Sequence, residues 1–223
     1  MVKNKSKPKY YSLLIIPIAL ILTTALVFFV SSNFFGTSLA YVIGFSFYYV
    51  VWCYGIPLAL MGKDEFVSLF REANPLFRKR NWHLIILFFL VIFGTLIMYL
   101  IPSITEATSL LVLLAIPIAI VHGVGEETLW RGLYVRAFPE NIFLGIIYPT
   151  VGFALWHLSP QIVFPAENGI LIFLVSTFFL GLTNSFIAYK TGSIKWVAFL
   201  HTIGSLLALG QPITTSIIDI FGL

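Results

Sequence analysis

The stretch Leu110-Leu-Val-Leu-Leu-Ala-Ile-Pro-Ile-Ala-Ile-Val-His122-Gly-Val-Gly-Glu126-Glu127-Thr-Leu-Trp-Arg131-Gly132 sets twelve apolar residues directly before a histidine, two adjacent carboxylates and an arginine. An apolar run of this kind needs lipid or a protein core around it, and an ionisable residue near the centre of a membrane span costs about 2.5–3.5 kcal/mol on insertion scales. The composition decides between lipid and core. Of 223 residues, 59% are hydrophobic and 10% charged, and the mean hydropathy is +0.99. A soluble domain carries about 25% charged residues. Too few charges remain here to cover a water-facing surface, so the chain is expected to be solvated by lipid. The net charge of +4 then speaks of membrane orientation and anionic headgroups, and no nucleic-acid partner is expected. The single cysteine, Cys53, excludes an internal disulfide and a thiolate metal site.

Crossing a hydrocarbon core of about 30 Å takes roughly 20 apolar residues of helix. Seven stretches approach this, near 10–31, 39–62, 83–101, 109–126, 142–158, 169–189 and 195–210. The expected fold class is therefore all-α, a polytopic transmembrane bundle of seven to eight spans, built as one structural unit. Residues 1–109 supply membrane helices and the polar segment 63–82, read as a topology-setting loop or a helix lying on the inner membrane surface. Residues 110–210 form a core carrying the chemistry, and 211–223 a tail or a short eighth element. The first span is too long for the apolar part of a signal peptide, and no small-residue cleavage site follows it.

All 13 basic residues fall before span 1, between spans 2 and 3, between spans 4 and 5, or between spans 6 and 7. Those four segments are expected on the cytoplasmic side, with the N-terminus among them. The opposite segments hold only Glu106, Glu167 and Asp219.

Within 122–132, neighbouring residues on a helix point about 100° apart, so Glu126 and Glu127 cannot face the same partner. Glu127 and Arg131 stand four apart and can pair. Glu126 is then the unpaired acid, suited to act as a general base on water, on a face shared with His122 and Trp130. Two further groups set two residues four apart on one helical face: Phe153-Ala-Leu-Trp-His157 and His201-Thr-Ile-Gly-Ser205. A rise of about 1.5 Å per residue lets the three groups converge in the inner half to the middle of the bilayer, in a cavity expected to open to the cytoplasm.

Glu-Glu-xxx-Arg, Phe-xxx-His and His-xxx-Asn/Asp, each on its own membrane helix, resemble the CPBP (Abi) family of CAAX prenyl proteases and bacteriocin-processing or immunity proteins. The likeness covers about residues 110–210 and includes the basic turn Lys190-Thr-Gly-Ser-Ile-Lys195. It implies an intramembrane endopeptidase in which Glu126 and His157 activate water, Glu127 and Arg131 form a supporting ion pair, and His201 stabilises the oxyanion. Ser205 stands where the family has Asn or Asp, which places activity in question, and Asn184 is the residue that could restore an amide donor. Phe153, Asn184 and Trp130 are the candidate substrate-binding residues. His122 lies outside the family pattern and reads as structural.

Glu126, His157 and His201 could supply three ligands to a divalent metal such as zinc. A metal-free mechanism with the same residues is equally drawable. The expected substrate is a peptide or a lipidated protein, and the expected location a prokaryotic plasma membrane. The alternative is a non-catalytic protein giving self-immunity to a bacteriocin. A small transporter is the third reading, since intramembrane carboxylates also serve proton relays.

Overall fold

Lipid offers a peptide group no hydrogen-bond partner, so an apolar run closes its backbone bonds within itself as a helix. The computed structural model, which describes residues 8–166, 169–210 and 212–223, is all-α, and no strand occurs among the described residues. Lys3, Lys5, Lys7 and Glu167, on which part of the orientation reading rests, lie outside the described residues.

Among the described residues, five helical runs are long and apolar enough to cross a membrane: Ser12–Phe35, Thr37–Met61, Lys79–Leu100, Ser109–Ala137 and Ile170–Thr191. The first lies within α1 (Pro8–Phe35). We number the rest α2 (Thr37–Met61), α3 (Lys63–Ser68), α4 (Lys79–Leu100, running on through Ile101–Glu106), α5 (Ser109–Ala137), α6 (143–156), α7 (Ile170–Thr191), α8 (Lys195–Leu207) and α9 (Ile213–Phe221). The runs expected near 142–158 and 195–210 are α6 and α8. At 13 residues, α8 is shorter than a perpendicular crossing requires. The C-terminal segment folds as the 9-residue α9, too short to span; it packs on α2, and Ser38 Oγ donates to Asp219 at 3.1 Å.

The polar segment between α2 and α4 does not lie flat on the surface as one helix. After α3 the chain turns inward and buries Leu69 and Leu76. It is then stitched to the turn between α7 and α8. The Leu69 carbonyl accepts Ile194 N–H and the Ser193 hydroxyl, both at 2.9 Å, and the Thr191 carbonyl accepts Ala73 N–H and Asn74 N–H, both at 3.0 Å. Arg136, just inside the C-terminal end of α5, donates to Ser68 Oγ at 2.9 Å. The three basic segments outside the N-terminus thus gather at one end of the bundle and close it.

The most extensive helix pair is α5 against α8. Their close approach is set at Gly123, where a Cβ would lie 2.5 Å from Thr202 N and Oγ1 and 2.9 Å from Thr202 Cα. Two of those atoms are backbone and cannot swing aside. Gly123 follows His122, and Thr202 follows His201, so this contact presses the two histidine-bearing faces together. Gly123→Ala is expected to lower the thermal midpoint of the detergent-solubilised protein, by the about 1–3 kcal/mol typical of overpacking. Gly94→Ala, where a Cβ meets nothing within 4 Å, should not lower it.

Candidate active site

Glu127 is the meeting point of the buried polar groups. Its Oε1 accepts Arg131 Nη1–H at 3.1 Å, His201 Nδ1–H at 2.8 Å and Asn184 Nδ2–H at 3.3 Å. Arg131 also donates from Nε to Ser185 Oγ at 3.3 Å, and Ser185 bonds Thr150 Oγ1 at 3.1 Å. The guanidinium lies 4.2 Å from the centre of the Phe153 ring. Glu127, Arg131, Thr150, Ser185 and Asn184 are all buried. The network ties α5 to α6, α7 and α8. Room for it comes from Gly181, whose missing Cβ would stand 2.9 Å from Phe153 and 3.1 Å from Arg131 Nη2.

Glu126 points elsewhere. It is fully buried, and neither of its carboxylate oxygens receives a hydrogen bond among the described residues. Its Oε2 faces His201 Nε2 at 3.4 Å and His122 Nε2 at 3.7 Å. The two rings meet at 88° with centroids 4.8 Å apart. Each ring is held by its far nitrogen. His201 Nδ1 is tied to the Glu127 carboxylate, which can only accept, and His122 Nδ1 bonds the Tyr49 hydroxyl at 2.8 Å. Both Nε2 atoms are thereby aimed at Glu126.

His157 is held in the same way, its Nδ1–H donating to the Phe153 carbonyl at 2.8 Å, which leaves Nε2 as the lone-pair nitrogen of the neutral ring. It sits among Phe153, Trp156 and Phe173. It lines the same cavity as His122 and His201 but stands outside the close group.

That group is His122, Glu126 and His201, whose ligand atoms all lie within 4.8 Å of one another. The ligand set expected from sequence had His157 where the geometry has His122. The signal in the sequence for His122 is its i, i+4 spacing from Glu126, although His122 lies outside the family pattern. Two imidazole nitrogens and a carboxylate without hydrogen-bond donors are the donor types a zinc-like cation takes, and a carboxylate behind a ligating histidine is its usual support. The residues present therefore fit a divalent cation.

A cavity of about 590 Å³ adjoins the group, with His122, His157, His201, Asn184, Phe153 and Ser205 among its walls. Trp130 does not line it. This residue is fully buried, and its indole N–H donates to Tyr48 Oη at 2.9 Å, so it packs the core rather than meeting a ligand. Asn184 lines the cavity with its amide nitrogen already given to Glu127. The cavity's walls include Pro160, Phe164 and Ala166 after α6 and Ala208 and Pro212 after α8.

The fold and site define a helical integral membrane protein with a buried carboxylate–imidazole centre. Residues 108–207 match the model of the family described as type II CAAX prenyl endopeptidase, Rce1-like, and this matched stretch carries all three motifs, in agreement with the CPBP resemblance. No curated protein and no solved structure matches the chain.

Removing one member of a buried ion pair strands the other charge at a cost of about 3–5 kcal/mol. Arg131→Met should therefore lower the unfolding midpoint sharply. Glu127→Gln combined with Arg131→Met should recover part of that loss, measured as a double-mutant cycle in detergent.

Proposed function

We propose that this protein is an intramembrane endopeptidase of the CAAX-protease and bacteriocin-processing type, acting in a prokaryotic plasma membrane on a peptide or a lipidated protein. The family match at residues 108–207 supports peptidase activity at the level of the family. The observation that carries the reading for this chain is Glu126, a buried carboxylate with no hydrogen-bond donor, facing two ring nitrogens beside a cavity. A carboxylate left so costs stability. A packing role would be served better by an apolar residue, whereas a base must keep its lone pairs uncommitted.

In the reaction, Glu126 accepts a proton from water as the water oxygen attacks the scissile carbonyl carbon. His157, fixed by the Phe153 carbonyl, offers its Nε2 lone pair as a second acceptor. His201 has two uses. In its neutral form Nε2 is a lone pair; as imidazolium, braced by Glu127, it can donate that N–H to the developing oxyanion. Ser205, one turn on, adds a hydroxyl donor at the cavity wall, and Asn184 retains a second amide hydrogen for the same purpose. The amide C–N bond then breaks, and the proton taken from water goes to the leaving nitrogen. No acyl-enzyme is expected, since among the described residues that line the cavity no serine or cysteine is hydrogen-bonded to an activating base. The residues that would hold a metal are His122, Glu126 and His201, with His157 replacing His122 in the set read from sequence. A divalent cation bound there would polarise the carbonyl as a Lewis acid. Phe153 supports the site from beneath, through Arg131 and the His157 ring.

Glu126→Gln is expected to lower kcat by about 100- to 10,000-fold while the thermal midpoint holds or rises, because the substitution removes an uncompensated buried charge. Unchanged turnover of a reconstituted peptide substrate would end the assignment. Self-immunity without chemistry predicts instead that protection survives Glu126→Ala. Loss of one oxyanion donor costs about 100- to 1000-fold in turnover, and both Ser205→Ala and Asn184→Ala should show losses of that order. If Asn184→Ala left turnover unchanged while Ser205→Ala abolished it, Asn184 would have no part in holding the oxyanion.

A further inference from the structure

Helix α2 reaches the site through an irregular turn. Its stretch Tyr48–Gly55 is π-helical, and Ile56 N–H bonds five residues back to the Val51 carbonyl. The cause is local. Pro57 has no N–H to give, and its ring crowds the carbonyl four residues before it, so the chain widens ahead of it. Wide turns of this kind are frequent at functional sites. This one carries two tyrosines to α5. Tyr54 Oη donates to the Val121 carbonyl at 2.7 Å, and Tyr49 Oη bonds His122 Nδ1 at 2.8 Å. The helices come this near because residue 125 is glycine, where a Cβ would lie 2.9 Å from Tyr54 Cε2 and 3.0 Å from Cys53 Cβ. The His122 ring meets the Tyr49 ring at 79° and the His201 ring at 88°. It still lines the cavity, with 20% of its side chain accessible.

The neighbours select the tautomer of His122. A phenol is a stronger acid than a neutral imidazole, and an imidazole nitrogen is a stronger base than a phenol oxygen. The Tyr49 hydroxyl therefore donates and Nδ1 accepts, which leaves the ring proton on Nε2. Nε2 faces Glu126 Oε2 at 3.7 Å. The other tautomer would set a nitrogen lone pair against a carboxylate oxygen. At 3.7 Å the N–H is too far from Glu126 to be used up on it.

From this we propose that His122 is a catalytic residue, donating its Nε2–H to the developing oxyanion, and that Tyr49 is its positioning residue. The inference rests on the peptidase reading. The oxyanion forms two bonds away from the water oxygen that Glu126 deprotonates, so a donor that flanks Glu126 Oε2 and lines the cavity stands within reach of it. Unlike His201, this ring donates without first becoming an imidazolium. It adds an N–H in a chain whose last motif ends in Ser205 rather than in an amide. A cation held by His122 would need the other tautomer, with the Tyr49 oxygen accepting from Nδ1–H, so the two uses are separable.

Nitrogen-15 NMR of histidine-labelled protein in detergent tests the geometry without a substrate. The chain has four histidines, and the His122 signals are those lost in His122→Gln. Nε2 should be protonated and Nδ1 the accepting nitrogen, with a mixture of tautomers in Tyr49→Phe. A proton on Nδ1 in the wild-type protein would overturn the proposal. Turnover of a peptide that the wild-type protein cleaves in lipid vesicles tests the chemistry. His122→Ala should lower kcat about 100- to 1000-fold with KM unchanged. His122→Gln, whose amide N–H takes the place of Nε2–H, should recover most of that loss. Tyr49→Phe should lower kcat about 10- to 100-fold, as loss of a partner that orients a working histidine does. It should have no effect in the His122→Gln background, where no Nδ1 remains to be held. No recovery in His122→Gln, or the same loss from Tyr49→Phe in both backgrounds, would contradict the assignment. Cleavage that survives His122→Ala ends this role alone, whereas a wild-type protein that cleaves no peptide ends the peptidase reading and this role with it.

Discussion

Glu127 is the constraint on which the rest depends. A carboxylate buried in a membrane bundle survives only if donors surround it, and its donors come from three helices: Arg131 on α5, Asn184 on α7 and His201 on α8. Arg131 then recruits Ser185 and, through it, Thr150 on α6. One oxygen atom thereby fixes the rotation and depth of four helices. His201 can present its Nε2 to Glu126 only because its Nδ1 is committed to Glu127, so in the proposed reaction the supporting acid sets the geometry of the reacting one. The two glutamates adjoin in sequence and divide the work by pointing in different directions.

Much of this was legible in the residues. The composition fixed lipid as the solvent, the apolar runs located the long helices, and the spacing of Glu127 and Arg131 announced their pair. The i, i+4 positions of Phe153 and His157 foretold a shared face, though the bond that matters runs from the ring to the Phe153 carbonyl rather than to its side chain. The structure adds one residue to the close group. His122 lies outside the family pattern, yet its ring is nearer to Glu126 than pattern-based assignment allowed, held there by Tyr49 from a helix about seventy residues earlier in the chain. No periodicity within one helix could reveal that Tyr49 and His122 meet.

Other features required tertiary structure for a similar reason. Residues 63–82 read as polar because their charges are, but Leu69 and Leu76 decide their position by entering the core. Trp130 looked like a flanking contact for substrate, and the Tyr48 hydroxyl instead gives its N–H a buried partner. Depth estimates along single helices let the three motifs meet but could not say which end of the bundle was closed. That depended on hydrogen bonds between the turns of different helices, and they seal the basic end.

The central claim is that Glu126 and its histidines hydrolyse a peptide bond rather than hold a peptide intact. The most direct measurement is mass spectrometry of purified protein in lipid vesicles, incubated with a peptide library containing both lipidated C-termini and leader-type sequences. The account predicts paired fragments whose masses sum to a substrate plus one water, with no covalent protein adduct. Peptides retained by the protein but recovered uncleaved across the whole library would contradict it.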